Sequence, residues 1–413
     1  MYILKYYHLF LSLLIILLLS GIAFPQENNF VSTNGKEIIY QGKPVLLKGI
    51  NLGNWLEPEG YMFKFKTASS YRLINDVISE LIGPVDAAKF WQTFRGQYIT
   101  KADIKLIKES GLNSVRVPFD YKLFLSDQHP GVWYDEGFKL LDNVITWCKE
   151  YNVWVILDLH CAPGGQTGDN IDDGYGYPFL FENTESQNLT AELWKKIADR
   201  YKNESIVLGY DLLNEPIAPF FNTEELNKNL EPVYKKITSA IREVDTNHIV
   251  ILGGAQWDSN FKIFGKPFDS KSIYTFHKYW SDTTQSVIQE YIDFRNQNNV
   301  PIWLGESGEN KDQWISSFRS LLERNNIGWC FWPYKKLDAR TCMVSITKTP
   351  EFDSVIQFSE KHRETFEDIR KSKPSKEIIE KALNDYLNNI LLSNCKINKG
   401  YLNALGLNPE VEK

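Results

Sequence analysis

Eight short runs of nearly continuous apolar residues punctuate the chain. They are VLLKGIN (45–51), LNSVRVPF (112–119), VWVILDLH (153–160) and IVLGYDLLNE (206–215), then HIVILGG (248–254), SIYTFHKY (272–279), PIWLGESG (301–308) and IGWCFWPYK (327–335). Each reads as a strand buried on both faces. Between them lie amphipathic segments such as ITKADIKLIKES, YDEGFKLLDNVITWCKEYN, QNLTAELWKKIADRYK, TEELNKNLEPVYKKITSAIREV, SVIQEYIDFRNQ and KDQWISSFRSLLERN. The gap after the fifth run, AQWDSNFKIFGKPFDSK, is irregular and has room for a short helix only. Strand and helix alternating eight times predict a (β/α)8 TIM barrel. A doubly wound open sheet is the other candidate, but its glycine-rich phosphate fingerprint after the first strand is absent.

Several features lie outside this repeat. FVSTNGKEIIYQGKPV sets Asn34-Gly35 between two alternating runs and predicts an N-terminal β-hairpin closing one end of the barrel. Residues 58–99 and 161–185 enlarge the connections after the first and third strands, on the face where barrel active sites form. From about Lys373 the chain reads as a terminal helix, KEIIEKALNDYLNNILL, with a polar end. The first residues, MYILKYYHLFLSLLIILLLSGIAFPQ, have one early lysine and a short apolar run. Gly21 and Ala23 supply small-x-small spacing, so a signal peptide over 1–23 is expected, leaving 24–413 as a single catalytic domain. Export to the periplasm or the medium follows, without stable membrane insertion.

Composition sharpens the picture modestly. Of 413 residues 43% are hydrophobic and 24% charged, as a globular core requires. The net charge of −6 and the lack of a long basic run argue against a nucleic-acid partner. An aromatic excess of 12 Trp, 21 Tyr and 24 Phe suits flat ligands such as sugar rings, although large cores use aromatics too. Five cysteines are scattered without metal-ligand spacing, and their odd number leaves at least one free thiol.

The chemistry gathers where the strands end. Arg116 closes the second run, His160 the third and Asn214-Glu215 the fourth, with His277 and Tyr279 on the sixth, Glu306 on the seventh and Trp332 on the eighth. In a barrel all of these meet at one lip. Two carboxylates facing each other there suggest glycoside hydrolysis, one donating a proton to the leaving oxygen and one serving the oxocarbenium-like centre. Carboxyls roughly 5–5.5 Å apart would mean retention, and a wider gap inversion.

These residues resemble glycoside hydrolase family 5 of clan A. YDLLNEP and IWLGESG carry the likeness, with GINLGNWLEPE, SVRVPF, LDLHCAPGGQTG, FHKY and FWPYKK spreading it over nearly the whole mature chain. The resemblance implies Glu215 as acid/base and Glu306 as nucleophile, with retained configuration. It further implies Arg116 and Tyr279 around Glu306, Asn214 on the sugar 2-hydroxyl, His160 and His277 lining the subsite, and Trp332 as its stacking floor. NLGNWLEPE and HCAPGGQTG are most similar to the exo-β-1,3-glucanase and β-glucan-acting branch, which implies that Glu59 binds hydroxyls of a terminal glucose. There the eighth-strand lysine falls at Lys335. Cys161, in place of the more usual glycine, and PYKK depart from that branch, and neighbouring branches act on cellulose, mannan, xyloglucan or aryl glycosides.

The expected protein is therefore a secreted retaining β-glycosidase that acts as a monomer on an oligo- or polysaccharide, with no cofactor and no metal. An endo-β-1,4-glucanase or mannanase of the same family is one alternative. A catalytically silent carbohydrate-binding barrel is another, although both carboxylates are present. A metal hydrolase using Asp158, His160 and His277 lacks ligand spacing in the sequence.

Overall fold

The computed structural model describes residues 29–413, and the predicted leader lies outside the described residues. Eight parallel strands form a closed barrel: β1 Lys48–Asn51, β2 Ser114–Asp120, β3 Trp154–Cys161, β4 Val207–Asp211, β5 Ile249–Gly253, β6 Ser272–His277, β7 Ile302–Glu306 and β8 Gly328–Phe331. Each pairs with its sequence neighbours, and β8 closes on β1 through Cys330 opposite Gly49. All eight fall on the apolar runs of the sequence, with β2 and β3 each continuing one residue further.

Alternation along each strand sorts the side chains. On β3, Val155, Leu157 and Leu159 pack outward with the helix-side core, while Ile156 joins Leu208, Ile249, Ile251, Ile273, Trp303 and Cys330 in a second cluster. Val31 and Ile38 of the N-terminal hairpin belong to that second cluster, so the hairpin plugs the barrel floor. Its strands, Ser32–Asn34 and Glu37–Tyr40, pair antiparallel around Gly35 at φ 55°. The turn needs a residue tolerant of positive φ, as the Asn-Gly signal implied.

The enlarged connection after β1 holds two helices, Tyr71–Ile82 and Pro84–Gln97, beside a turn at Gly60–Phe63. The C-terminal end is more ordered than its polar sequence suggested. Helix Lys376–Asn389 packs on helices Pro350–Ser359 and Pro84–Gln97, and Lys396–Ile397 pairs with Val344–Ile346. Buried Tyr401, Leu402 and Leu405 anchor the last helix, Lys399–Ala404. All five cysteines are buried and free. Among the described residues no helix is long and apolar enough to cross a membrane.

Candidate active site

A single guanidinium underlies the barrel mouth. Arg116 was expected at a strand end, but β2 continues to Asp120, and the side chain is fully buried inside the barrel. Its Nε donates to Asp211 Oδ2 at 2.8 Å and its Nη1 to Glu306 Oε1 at 2.6 Å. Nη2 donates to Asn214 Oδ1 at 2.9 Å and lies 3.0 Å from Asp158 Oδ1. A planar five-donor fork can hold these acceptors in one fixed arrangement, which a lysine ammonium could not. Burial pushes Asp158 and Asp211 each up to about 7 against the pull of Arg116. The cation is thus shared among groups that ionise reluctantly, leaving Glu306 a strong claim on it.

A β-bulge aims Glu306. Along β7, Leu304 lies opposite Phe276 and Glu306 opposite His277, so two residues on β7 match one on β6. Strict alternation would turn Glu306 outward with Leu304; the extra residue turns it into the mouth beside His277. That residue is Gly305, where a Cβ would stand 2.4 Å from Thr275 Oγ1 and 2.8 Å from His277 Nε2. Tyr279 donates to Glu306 Oε2 at 2.9 Å. Burial and the adjacent Glu306 raise the Tyr279 phenol well above its ordinary range, so it remains a donor.

Glu215 approaches from the opposite wall. Strand β4 ends at Asp211, and Asn214 and Glu215 stand beyond it, with Glu215 at φ 46°. Left-handed backbone at a glutamate persists only where its surroundings hold it. Thr167 Oγ1 donates to the Glu215 carbonyl at 2.8 Å, and the Glu215 amide donates to Asp258 Oδ2 at 3.2 Å. Gln166 Nε2 ties the carbonyls of His160 and Asn214 at 2.6 and 2.9 Å. Burial raises the Glu215 carboxyl to about 7, with His160 and Arg116 opposing.

His277 stands between the two acids. Its Nδ1 is 2.9 Å from Glu215 Oε1 and 3.7 Å from Glu306 Oε2, and its Nε2 is 3.2 Å from Asp258 Oδ2. One atom each from Glu215, His277 and Glu306 lie within 4.8 Å of one another. Such a trio could also ligate a cation, but Arg116 already occupies Glu306 Oε1, and a second positive charge there would meet repulsion. Burial lowers His277 to about 3 and His160 to about 4, so both rings are neutral near pH 7. Asp158, named in the metal reading that the sequence spacing disfavours, has its Oδ2 2.7 Å from His160 Nδ1 and fixes that ring.

The mouth is a cavity of about 780 Å³ lined by Glu59, His160, Glu215, His277, Tyr279, Glu306 and Trp332 among others. Asn214 lies just behind this lining, its Nδ2 3.2 Å from His160 Nε2. Trp332 stacks on His160 at 5.6 Å and 15°, and its Nε1 donates to Tyr61 Oη at 2.6 Å. Gly53 makes room for the indole, since a Cβ there would come within 2.4 Å of it. Glu59 is 5% exposed; burial, then Glu306 and Glu215, hold its carboxyl well above the usual range.

Lys335 is a correction. Its ammonium is fully buried, 2.7 Å from Asp103 Oδ1, and donates to the carbonyls of Tyr98 and Ile390. It serves the junction between the barrel and the C-terminal segment and does not line the cavity. Neighbours on an extended strand point to opposite faces, so the next residue turns away from Asp103 toward Glu309 and Tyr61, which line the cavity. Lys336 Nζ lies 2.8 Å from both Glu309 oxygens and 4.3 Å from the Tyr61 ring centroid. Lys335→Met should destabilise the fold by about 3–5 kcal/mol, because Asp103 is left buried without its counter-charge. Urea denaturation reads that loss, and KM of the folded fraction should stay put. Lys336→Met should raise KM, because Glu309 and Tyr61 on the cavity wall lose the ammonium that holds them.

Sequence reasoning also missed Tyr61, Glu309, Lys336, Trp257 and Asp258, none of which stands at the end of a barrel strand. Gln256, Trp257 and Asp258 are successive left-handed residues with φ of 52°, 57° and 58°. Such a turn costs roughly 1–2 kcal/mol per residue. The Gln256 amide, bonded to Asn227 and Asn260, and the buried Asp258 hold it in place. The result turns Asp258 inward to His277 and Trp257 outward to the cavity.

The chain is similar to known proteins in sequence and in fold. The family model described as cellulase (glycosyl hydrolase family 5) matches residues 83–338. A β-xylosidase of Phanerodontia chrysosporium is 30% identical over 70% of this chain and 59% of its own length. Endoglucanase C of Acetivibrio thermocellus is 27% identical over 70% of this chain and 91% of its own. A glucan 1,3-beta-glucosidase of Candida oleophila is 30% identical over 56% and 57%. The chain thus spans under two thirds of two of these relatives. Among solved structures, an endogalactoceramidase superposes with a TM-score of 0.59 at 15% identity, covering 91% of this chain and 84% of that one, a likeness of fold.

Proposed function

The chain belongs to glycosyl hydrolase family 5, and on that premise we propose that it is a retaining, exo-acting β-glycosidase of β-glucan. The observation that carries the reading is the pair Glu215 and Glu306 approaching one imidazole nitrogen from opposite walls, at 2.9 and 3.7 Å. That closeness suits a covalent intermediate, which needs carboxyls roughly 5–5.5 Å apart.

The roles follow from the environments. Glu306, fixed by Arg116 and Tyr279, attacks the anomeric carbon as a carboxylate. Glu215, pushed up to about 7, gives its proton to the glycosidic oxygen and later takes one from water. His277 Nδ1, 2.9 Å from Glu215 Oε1, holds that carboxyl in place beside the glycosidic oxygen. Trp332 is the floor for the sugar being cleaved, His160 and Asn214 bind near its 2-hydroxyl, and Glu59 binds hydroxyls further in.

Exo action is supported by a wall on the far side of Trp332. Tyr61 bonds Trp332, Lys336 and Thr341 bond Glu309, and Lys64 donates to the Asp338 carbonyl. These contacts tie the loops after β1, β7 and β8 together where a longer chain would otherwise continue. The glucan 1,3-beta-glucosidase likeness favours the same reading, and the endoglucanase likeness favours internal cutting. The apolar run before Ala23 supports export of the enzyme, acting as a monomer.

Laminarin, cellulose, glucomannan and aryl β-glycosides, with product lengths and anomers followed by NMR, test the proposal. Glucose released from laminarin as the β-anomer, undiminished by EDTA, is expected. Mixed oligosaccharides from early time points would replace exo by endo action, and initial α-anomer would remove the retaining mechanism.

A further inference from the structure

Resting on that reading, we propose that Asp172 is a positioning residue for Glu215. Its carboxylate fixes the loop that holds the acid's backbone, and so sets the direction in which the proton is delivered. Asp172 is 1% exposed and stands outside the lining of the cavity. Both of its oxygens face backbone amides. Oδ2 accepts from Thr167 and Gly168 at 2.8 and 2.7 Å, and Oδ1 accepts from Gly174 at 2.9 Å. Three converging N–H donors call for a group that only accepts, which an ionised carboxylate is. The chain is wound closely around it. A Cβ on Gly165 would stand 2.8 Å from Oδ2, and one on Gly174 2.7 Å from Oδ1.

Thr167 joins this loop to the acid. Its amide is bound by Asp172, and its hydroxyl donates to the Glu215 carbonyl at 2.8 Å. Its own carbonyl accepts from the Ala218 amide at 3.0 Å, and the Gln166 carbonyl accepts from the Ile217 amide at 2.8 Å. Glu215 and Ile217, which these bonds bracket, are both left-handed, with φ of 46° and 57°. For a β-branched isoleucine that conformation is an outlier, and it persists only where neighbours impose it. The loop after β3 is the neighbour that does so, and Asp172 gives that loop its shape.

The acid depends on this support more than the nucleophile does. Arg116 holds one oxygen of Glu306 and Tyr279 the other. Among the described residues the Glu215 carboxyl has one hydrogen-bonding contact, His277 Nδ1 at 2.9 Å. Its aim is therefore set largely by its backbone, and a general acid works only within hydrogen-bond reach of the oxygen it protonates.

The test compares kcat/KM for laminari-oligosaccharides with that for a dinitrophenyl β-glucoside, whose departure needs no proton. Asp172→Asn cannot accept from all three amides with its NH2 in place of an oxygen. It should lose roughly tenfold or more on the oligosaccharides and stay within about twofold of wild type on the dinitrophenyl glucoside. Thr167→Val, nearly the same shape without the hydroxyl, should show the same pattern, and Thr167→Ser should restore wild-type values. In both Asp172→Asn and Thr167→Val the alkaline limb of the oligosaccharide profile should move to lower pH. Burial is what raises the Glu215 carboxyl, and a displaced carboxyl meets more solvent. Thr167→Val alters no charge, so its shift reports position alone. Equal losses on the two substrates, wild-type activity in Thr167→Val, or an unmoved limb would overturn the proposal. If Asp172→Asn does not fold, Thr167→Val decides it. A wild-type enzyme inert on both substrates would instead sink the glycosidase reading beneath it.

Discussion

Glu306→Ala should lower turnover of the best substrate by about 10⁴-fold or more, which corresponds to about 5.4 kcal/mol at 1.36 kcal/mol per decade. The loss is this large because the carboxylate forms a covalent bond that no neighbour can replace. Tyr279 is a phenol and Asp158 and Asp211 lie against Arg116. The fold should survive, since Arg116 keeps both aspartates at 3.0 and 2.8 Å after Glu306 is gone. Circular dichroism and oligosaccharide binding should therefore be unchanged. Azide gives the sharper reading. It fits the space vacated on the α face and should restore turnover of an activated aryl β-glucoside, with α-glucosyl azide as the product. Residual activity at a tenth of wild type, or a β-azide, would remove Glu306 from the nucleophile's place.

The strands could be read from the sequence because burial on both faces leaves a signature that needs no partner: a run of apolar residues of strand length. Glu215 and Glu306 were visible for a related reason, being charges where such runs end. Orientation was harder. The bulge at Gly305 is a local miscount between β6 and β7, set by close approach to Thr275 and His277, and no pattern within PIWLGESG announces it. Lys335 and Lys336 show the same limit in reverse. Two adjacent lysines are equivalent in composition, and only the alternation of a short strand decides that one meets Asp103 and the other Glu309. Asp258 and Trp257 were hidden more deeply. Their positions depend on three left-handed residues in succession, a conformation that local preference disfavours and tertiary contacts impose. The functional rim is thus legible where strands deliver it and obscure where loops do.

Glu215→Ala is expected to separate substrates by leaving group. An oligosaccharide departs as an alkoxide unless it is protonated, so kcat/KM should fall by roughly 10²–10⁴-fold. A dinitrophenyl glycoside departs without help, and its kcat/KM should change little. Its kcat should still drop, because water must attack the glycosyl-enzyme without a base, and a burst of dinitrophenol should appear. Added azide should speed that second step and yield β-glucosyl azide, the opposite anomer to the one expected from Glu306→Ala. The pH dependence has a definite sign. Glu215 acts as an acid only while protonated and is pushed up to about 7, so wild-type kcat/KM on oligosaccharides should fall as pH rises through that value. In Glu215→Ala that alkaline limb should vanish. If the limb persists, the proton belongs to another group; if dinitrophenyl and oligosaccharide substrates lose equally, Glu215 is not the acid.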